Sequence, residues 1–358
     1  MKRVSTSQLI PGMVLARDVI SLDGQLILSA GTMLNDKMIT KLDIYGIFTA
    51  FIQEDPTEQK VTFQQRDASY SRRVRNSEAF KKFKVVYDIQ LGQFRDELNA
   101  MVSKNLKLDV EKLLSNSLRL IAGVDGTLSI LDILNNMREY DDSTYAHSMN
   151  VALISNIIAR WLKMSEDETR MATTCGLLHD VGKILVPHDI IAKPGKLTDA
   201  EFAVVQKHPV TGYQLLRRQE LNEHICNAAL MHHERMDGTG YPMRLSGGQI
   251  DPFARIVAIA DVYDAMTAAR VYRGPMCPFR VIELYESEGY EKYDVEYLLT
   301  FLENVVNTFV RNRCLLSDGR EGDIVLINKG NLSRPVVQCG IQYVNLAEHP
   351  ELRLESIL

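Results

Sequence analysis

Seven of the eight histidines lie between His147 and His233, and several stand beside an aspartate, a proline or each other. The same stretch reads as helix after helix, from about residue 126 to 312. Ser165-x-x-Glu168 and Thr198-x-x-Glu201 have the capping-box form, in which side chains satisfy free N–H groups at a helix start. Asp251-Pro252 supplies an N-cap followed by proline at the first helical position. A chain with this pattern must fold as mainly α and must carry ionisable side chains into a helical core.

The placement of those side chains narrows their chemistry. His147 opens a helix whose apolar face continues through Val151, Ile154 and Ile158, so its imidazole points inward. His179-Asp180 closes the helix begun at Ser165, with Gly182 placed to end it. His208 precedes Pro209 at another helix start. His232-His233 fall near a helix end, before Glu234 and a glycine-rich turn. Asp261 adjoins the apolar run Ile256–Ala260, where a lone carboxylate is costly to bury unless paired or metal-bound. Independent buried histidines would not explain His179-Asp180 and His232-His233 together. Metal is the economical partner. Imidazoles mixed with carboxylates suit Fe, Mn, Zn or Ni, and a carboxylate can bridge two ions.

Composition excludes other classes. Hydrophobic residues make up 46% and charged residues 24%, enough for a buried core without a disulfide framework. The five cysteines are scattered without a CxxC pair, as in reduced intracellular thiols. No run approaches the ~18 apolar residues of a membrane span, and the N-terminus lacks a signal-peptide pattern. A cytoplasmic location without membrane attachment is expected. The net charge of −5 argues against binding long nucleic acid, while leaving room for a small anionic ligand.

Four segments are expected. Residues 1–60 read as a small β-rich module, with a hairpin turn at Asp23-Gly24 and a short helix around Asp36 to Tyr45. Residues 61–125 read as a basic linker and helical connector. Its apolar stripe runs through Val86, Ile89, Leu91, Phe94, Leu98 and Val102, as a connector or a homodimer surface would require. Residues 126–312 form the helical domain, and 313–358 a β-rich tail.

Two strings then carry a resemblance. His179-Asp180-Val-Gly-Lys183 is similar to the signature of HD phosphohydrolases. His232-His233-Glu234-Arg-Met-Asp237-Gly238-Thr-Gly240-Tyr241-Pro242 closely resembles the HHExxDGxGYP signature of the HD-GYP family. The segments around Lys193-Pro-Gly-Lys and Ala260-Asp261-Val-Tyr-Asp264 are also similar. The resemblance implies an HD-type helical bundle and hydrolysis of the bacterial second messenger cyclic di-GMP to pGpG, in some members onward to GMP, by a metal-bridging hydroxide. It implies two transition-metal ions, Fe or Mn before Zn or Ni. One would be held by His147, His179, Asp180 and Asp261, the other by His208, His232 and His233, with Asp180 bridging. Lys183, beside the bridging aspartate, is expected in catalysis and phosphate binding, and Arg270 and Arg273 in phosphate binding. Glu234 and Asp264 are expected to support the ligands, and the Gly238–Pro242 loop to meet a protein partner.

The chain departs from the family at Ser143, where some members carry a glutamate ligand for a third metal; two metals are therefore expected. His188 and His224 match no ligand position and are expected at the surface. Two other readings stay open. One is an HD phosphohydrolase for another cyclic or linear nucleotide. The other is a non-catalytic dinucleotide sensor, which retention of all seven ligands disfavours.

Overall fold

The computed structural model describes residues 2–6, 9–10, 12–20, 26–35, 38–39, 42, 47, 49–53, 74–124, 130–137, 144–191, 193, 197–267 and 276–358. The chain divides into two compact units: Val74–Thr308, and Met1–Arg73 together with Phe309–Leu358.

The larger unit is helical. Ser77 Oγ accepts the Phe80 N–H and starts α1, Glu78–Lys104, which ends where Asn105 turns left-handed at φ 52°. Phe80, Phe83, Tyr87, Phe94, Leu98 and Met101 form its buried stripe. Of the apolar stripe read from the sequence, Phe94 and Leu98 are buried, while Val86 and Ile89 are exposed. The aromatic series takes the inward face, and the Tyr87 hydroxyl donates to Asn150 Oδ1 at 2.7 Å. A second helix follows, α2, Val110–Ala122. The next two are α3, Ile130–Met137, and α4, Thr144–Trp161.

α5, Glu166–Leu178, begins at the expected Ser165–Glu168 capping box. A 3₁₀ turn at Val181–Leu185 and the single turn α6, His188–Ile191, come next. α7, Asp199–Val205, begins at the Thr198–Glu201 capping box. The remaining helices are α8, His208–Arg218, and α9, Glu223–Met231. Then come α10, Pro252–Thr267, and α11, Pro278–Leu284. α12, Tyr290–Lys292, and α13, Val295–Asn307, close the unit.

The centre of this unit is α4 packed on α5 and α10. Val151, Leu153, Ile154 and Ile158 of α4 are fully buried, as are Ile256, Val257 and Ile259 of α10. A helix apolar on all sides has to be buried on all sides, and each such side chain contributes about 1.5–3 kcal/mol on leaving water. This scaffold fixes the start of α4, the end of α5 and the stretch of α10 around Asp261.

The smaller unit is β-rich. β1, Lys2–Ser5, pairs antiparallel with β4, Thr49–Ile52, with Val4 opposite Ala50. β2, Val19–Ile20, pairs antiparallel with β3, Leu26–Leu28. The Asp23-Gly24 turn that would join them, and most of the short helix expected after Asp36, lie outside the described residues. Leu9, Leu15, Leu34, Ile39 and Leu42 form the core here.

The C-terminal strands are β5, Arg313–Leu316, β6, Glu321–Leu326, and β7, Val336–Cys339. With β8, Gln342–Asn345, and β9, Leu354–Ile357, they form an antiparallel sheet in the order β8-β7-β6-β5-β9. The Arg311 guanidinium donates to the Leu9 carbonyl at 3.0 Å, tying the two chain ends together.

Candidate metal centre

Three histidines sit at helix ends and are oriented in the same way. His179 Nδ1 lies 2.8 Å from the Gly176 carbonyl, His208 Nδ1 2.7 Å from that of Val205, and His232 Nδ1 3.0 Å from that of Ala229. A ring nitrogen beside a carbonyl carries a proton, which in the neutral imidazole leaves Nε2 as a lone pair directed inward. His179 Nε2 is buried without a hydrogen-bond partner. His208 Nε2 and His232 Nε2 face each other at 3.2 Å.

The carboxylates lie between these imidazoles. Asp180 is 1% exposed at the junction of α5 and the 3₁₀ turn. Its Oδ2 faces His179 Nε2 at 3.4 Å and His147 Nε2 at 3.7 Å. Its Oδ1 faces His208 Nε2 at 3.2 Å and His232 Nε2 at 3.7 Å. Asp261, on α10, places Oδ1 3.0 Å from His147 Nε2 and Oδ2 3.8 Å from His233 Nδ1. The donors gather into His147, His179 and Asp261; His208, His232 and His233; and His179, Asp180 and His232, each set with its ligand atoms within 4.8 Å of one another. Inward-facing imidazoles and buried carboxylates together can share a cation, so the residues present fit a metal centre.

Comparison with known proteins agrees with the geometry. Residues 130–296 match the family model described as "HD domain". This stretch, under half of the chain, is similar to HD domains.

Within curated proteins, the chain is 44% identical over 138 residues to a cyclic di-GMP phosphodiesterase of Pseudomonas aeruginosa, covering 38% of this chain and 33% of that one. It is 36% identical over 167 residues to 3'3'-cGAMP-specific phosphodiesterase 1 of Vibrio cholerae, covering 46% and 39%. It is 35% identical over 195 residues to a cyclic di-GMP phosphodiesterase of Thermotoga maritima, covering 53% of each. The chain thus spans between a third and about half of the length of these relatives. In fold, it is similar to Bd1817, a HDG"Y"P protein from Bdellovibrio bacteriovorus, at a TM-score of 0.52 and 15% identity, covering 85% of this chain and 99% of that one.

The electrostatics of the site follow from burial and neighbours. Burial alone would lower the His147 pKa, but hydrogen bonds with Asp261 and Asp264 outweigh it and raise it to about 9. Burial lowers His233 to about 3, and it lowers His232 well below its ordinary value with help from the neighbouring histidines. Burial would raise Asp180, yet Lys183 and His179 hold it well below the usual carboxylate range. Asp261 is likewise held low, against its burial, by His147.

The other expected site residues are placed as follows. Lys183 Nζ lies 2.6 Å from Asp180 Oδ2. Asp264 Oδ2 is 2.8 Å from His147 Nδ1, the ring face remote from Asp261. The buried Glu234 carboxylate accepts the Met243 and Leu245 N–H groups. Arg270, Arg273 and Ser143 lie outside the described residues. His188 is exposed, and the half-exposed His224 pairs with Asp251 at 2.7 Å. Gly182 has a role different from the helix stop expected of it. A Cβ there would stand 2.0 Å from the His208 carbonyl oxygen, so only glycine lets the 3₁₀ turn approach α8.

Sequence patterning does not reveal the backbone acceptors, because a carbonyl has no residue-type signature. Nor does it reveal the Tyr241 ring, stacked on His233 with centroids 4.7 Å apart. The i−3 spacing from each histidine back to a helix end is the signal that could have located the carbonyls.

Proposed function

We propose that this chain is a metal-dependent phosphodiesterase that hydrolyses cyclic di-GMP to pGpG, with GMP as a further product. The observation that carries the reading is Asp180, whose two oxygens face different histidine groups. His147, His179, Asp180 and Asp261 would hold one transition-metal ion, and Asp180, His208, His232 and His233 the other. Fe or Mn is favoured, then Zn or Ni. Bound there, such ions polarise a phosphoryl group and acidify a water.

The chain's own residues prepare for that chemistry. Carbonyl-held imidazoles keep their lone pairs aimed inward and need no reorganisation when substrate arrives. Asp180 and Asp261 stay ionised at neutral pH, in keeping with their lowered pKa values. Lys183, 22% exposed at its side chain, offers a cation to a phosphate oxygen while contacting Asp180. Arg270 and Arg273 are proposed as further phosphate contacts. Asp264 orients His147, and Tyr241 covers one face of His233.

The substrate class rests on the names of the relatives, and the Vibrio cholerae relative favours 3'3'-cGAMP as a second reading. No helix among the described residues is long and apolar enough to cross a membrane, in keeping with a cytoplasmic enzyme. A homodimer, and a protein partner at the Gly238–Pro242 loop, belong to the same proposal. The test is anaerobic incubation with Fe(II) or Mn(II) and each dinucleotide, followed by chromatography. Formation of pGpG or GMP that disappears in Asp180→Ala supports the reading. Undiminished hydrolysis in that variant overturns it, and cleavage of 3'3'-cGAMP alone moves the assignment to that substrate.

A further inference from the structure

The loop that follows His232-His233 folds back onto its own start. Glu234 is 2% exposed, and its carboxylate reaches forward along the chain. Oε1 accepts the Met243 N–H at 2.6 Å and Oε2 the Leu245 N–H at 3.0 Å. A buried carboxylate that accepts two amides makes charge-assisted bonds, stronger than neutral ones. Between the ends of this clasp, Gly240 lies flat on the Glu234 backbone. A Cβ there would stand 2.4 Å from Glu234 Cα and 2.5 Å from the Arg235 nitrogen. The Tyr241 N–H donates to the His233 carbonyl at 3.3 Å.

The consequence falls on His233. The Tyr241 ring lies over its imidazole at 4.7 Å with an interplanar angle of 26°. Among rings, its other neighbours are His208 and His232, at 5.1 and 4.1 Å between centroids, and Asp261 Oδ2 lies 3.8 Å from its Nδ1. His179, His208 and His232 each have a ring nitrogen against a backbone carbonyl three residues back in the chain. His233 instead has the stacked tyrosine, and the tyrosine is carried by the loop that Glu234 clasps.

We propose that Glu234 is a positioning residue: by holding the Met243 and Leu245 amides it seats Tyr241 on His233 and so fixes the orientation of that imidazole. The inference deepens the metal-centre reading and rests on it for the consequence to catalysis. The seating itself can be read in metal-free protein.

The experiment compares wild type with Glu234→Ala, Glu234→Gln, Tyr241→Ala and Tyr241→Phe by NMR and amide exchange, without metal. A ring stacked on His233 shifts its carbon-bound protons upfield. Glu234→Ala and Tyr241→Ala are expected to abolish that shift, while Tyr241→Phe keeps it. Exchange at Met243 and Leu245 should speed up about 10-fold or more in Glu234→Ala. Glu234→Gln, which keeps one acceptor oxygen, should fall between and gives the answer if the alanine variant does not fold.

An unmoved His233 shift after the two amides lose protection would overturn the proposal, as would unchanged amide exchange. On metal titration, one of the two equivalents should weaken about 10–100-fold in Glu234→Ala; equal weakening of both would break the specific link to His233. A wild-type chain that gives these NMR results yet cleaves no dinucleotide would overturn the proposed function alone.

Discussion

His208 and His232 turn their Nε2 atoms toward each other across 3.2 Å while their Nδ1 atoms are engaged by the carbonyls of Val205 and Ala229. Where both rings are neutral with the proton on Nδ1, two Nε2 lone pairs meet in a buried space. A cation between them turns that repulsion into two bonds. Metal should therefore stabilise the fold itself. At a free metal concentration 100 times Kd the gain is about 2.7 kcal/mol, which for a unit of this size raises Tm by roughly 5–10 °C. Calorimetry of chelated against Mn(II)-loaded protein checks it; coincident transitions would remove the metal from the fold's energetics.

Asp180→Ala should be more damaging than loss of any single histidine, because one carboxylate serves both groups. Both metal equivalents should be lost, and hydrolysis should fall by about 10³-fold or more, beyond the cost of a single oriented charge contact. Elemental analysis beside steady-state kinetics decides the matter. A variant that keeps two ions would show that Asp180 does not bridge.

Asp264→Asn probes orientation without removing a ligand. Asp264 Oδ2 stands 2.8 Å from His147 Nδ1, on the side of the ring away from Asp261. The neutral amide is expected to weaken the ion held by His147 about 10–100-fold, leaving the His208–His232–His233 group intact. Chelator competition should resolve one weakened equivalent and one unchanged.

How much of this was legible in the residues differs by level. The two capping boxes are visible because side-chain oxygens recur at a fixed spacing, and both start helices. The inward face of His147 follows from Val151, Ile154 and Ile158, all fully buried. The stripe read in α1 splits: Phe94 and Leu98 turn inward with Phe83 and Tyr87, while Val86 and Ile89 face out. Pattern alone weighs apolar residues alike; packing weighs them by area. Adjacency of Leu9 and Arg311, far apart in the chain, has no local signature at all.

The metal-free protein should respond to pH through His147. Its folded pKa of about 9 lies above the ordinary value of 6.5. A raised pKa means the protonated form is stabilised by folding, through Asp261 and Asp264. That contribution is complete below about pH 6.5 and is lost as pH rises through about 9; it is worth about 3 kcal/mol at most. Urea unfolding of chelated protein should therefore weaken between pH 6.5 and 9.5, and His147→Asn should flatten the trend. Metal affinity should run the opposite way, rising with pH as the competing proton leaves.

The tightest steric test is Gly182→Ala. A methyl group there meets the His208 carbonyl oxygen at 2.0 Å and the Gly212 nitrogen at 2.7 Å, both backbone atoms that cannot swing aside. The 3₁₀ turn Val181–Leu185 must then move off α8. Overpacking of this kind costs about 1–3 kcal/mol where side chains can adjust, so a backbone clash should reach the upper end or beyond. The displaced element follows Asp180 directly and meets His208 at Gly182. Loss of stability should thus be accompanied by loss of metal, although neither ligand has been altered. Thermal denaturation and metal content measured on the same preparation test the coupling. A destabilised variant retaining both ions at wild-type affinity would show that the turn can shift without disturbing Asp180 or His208.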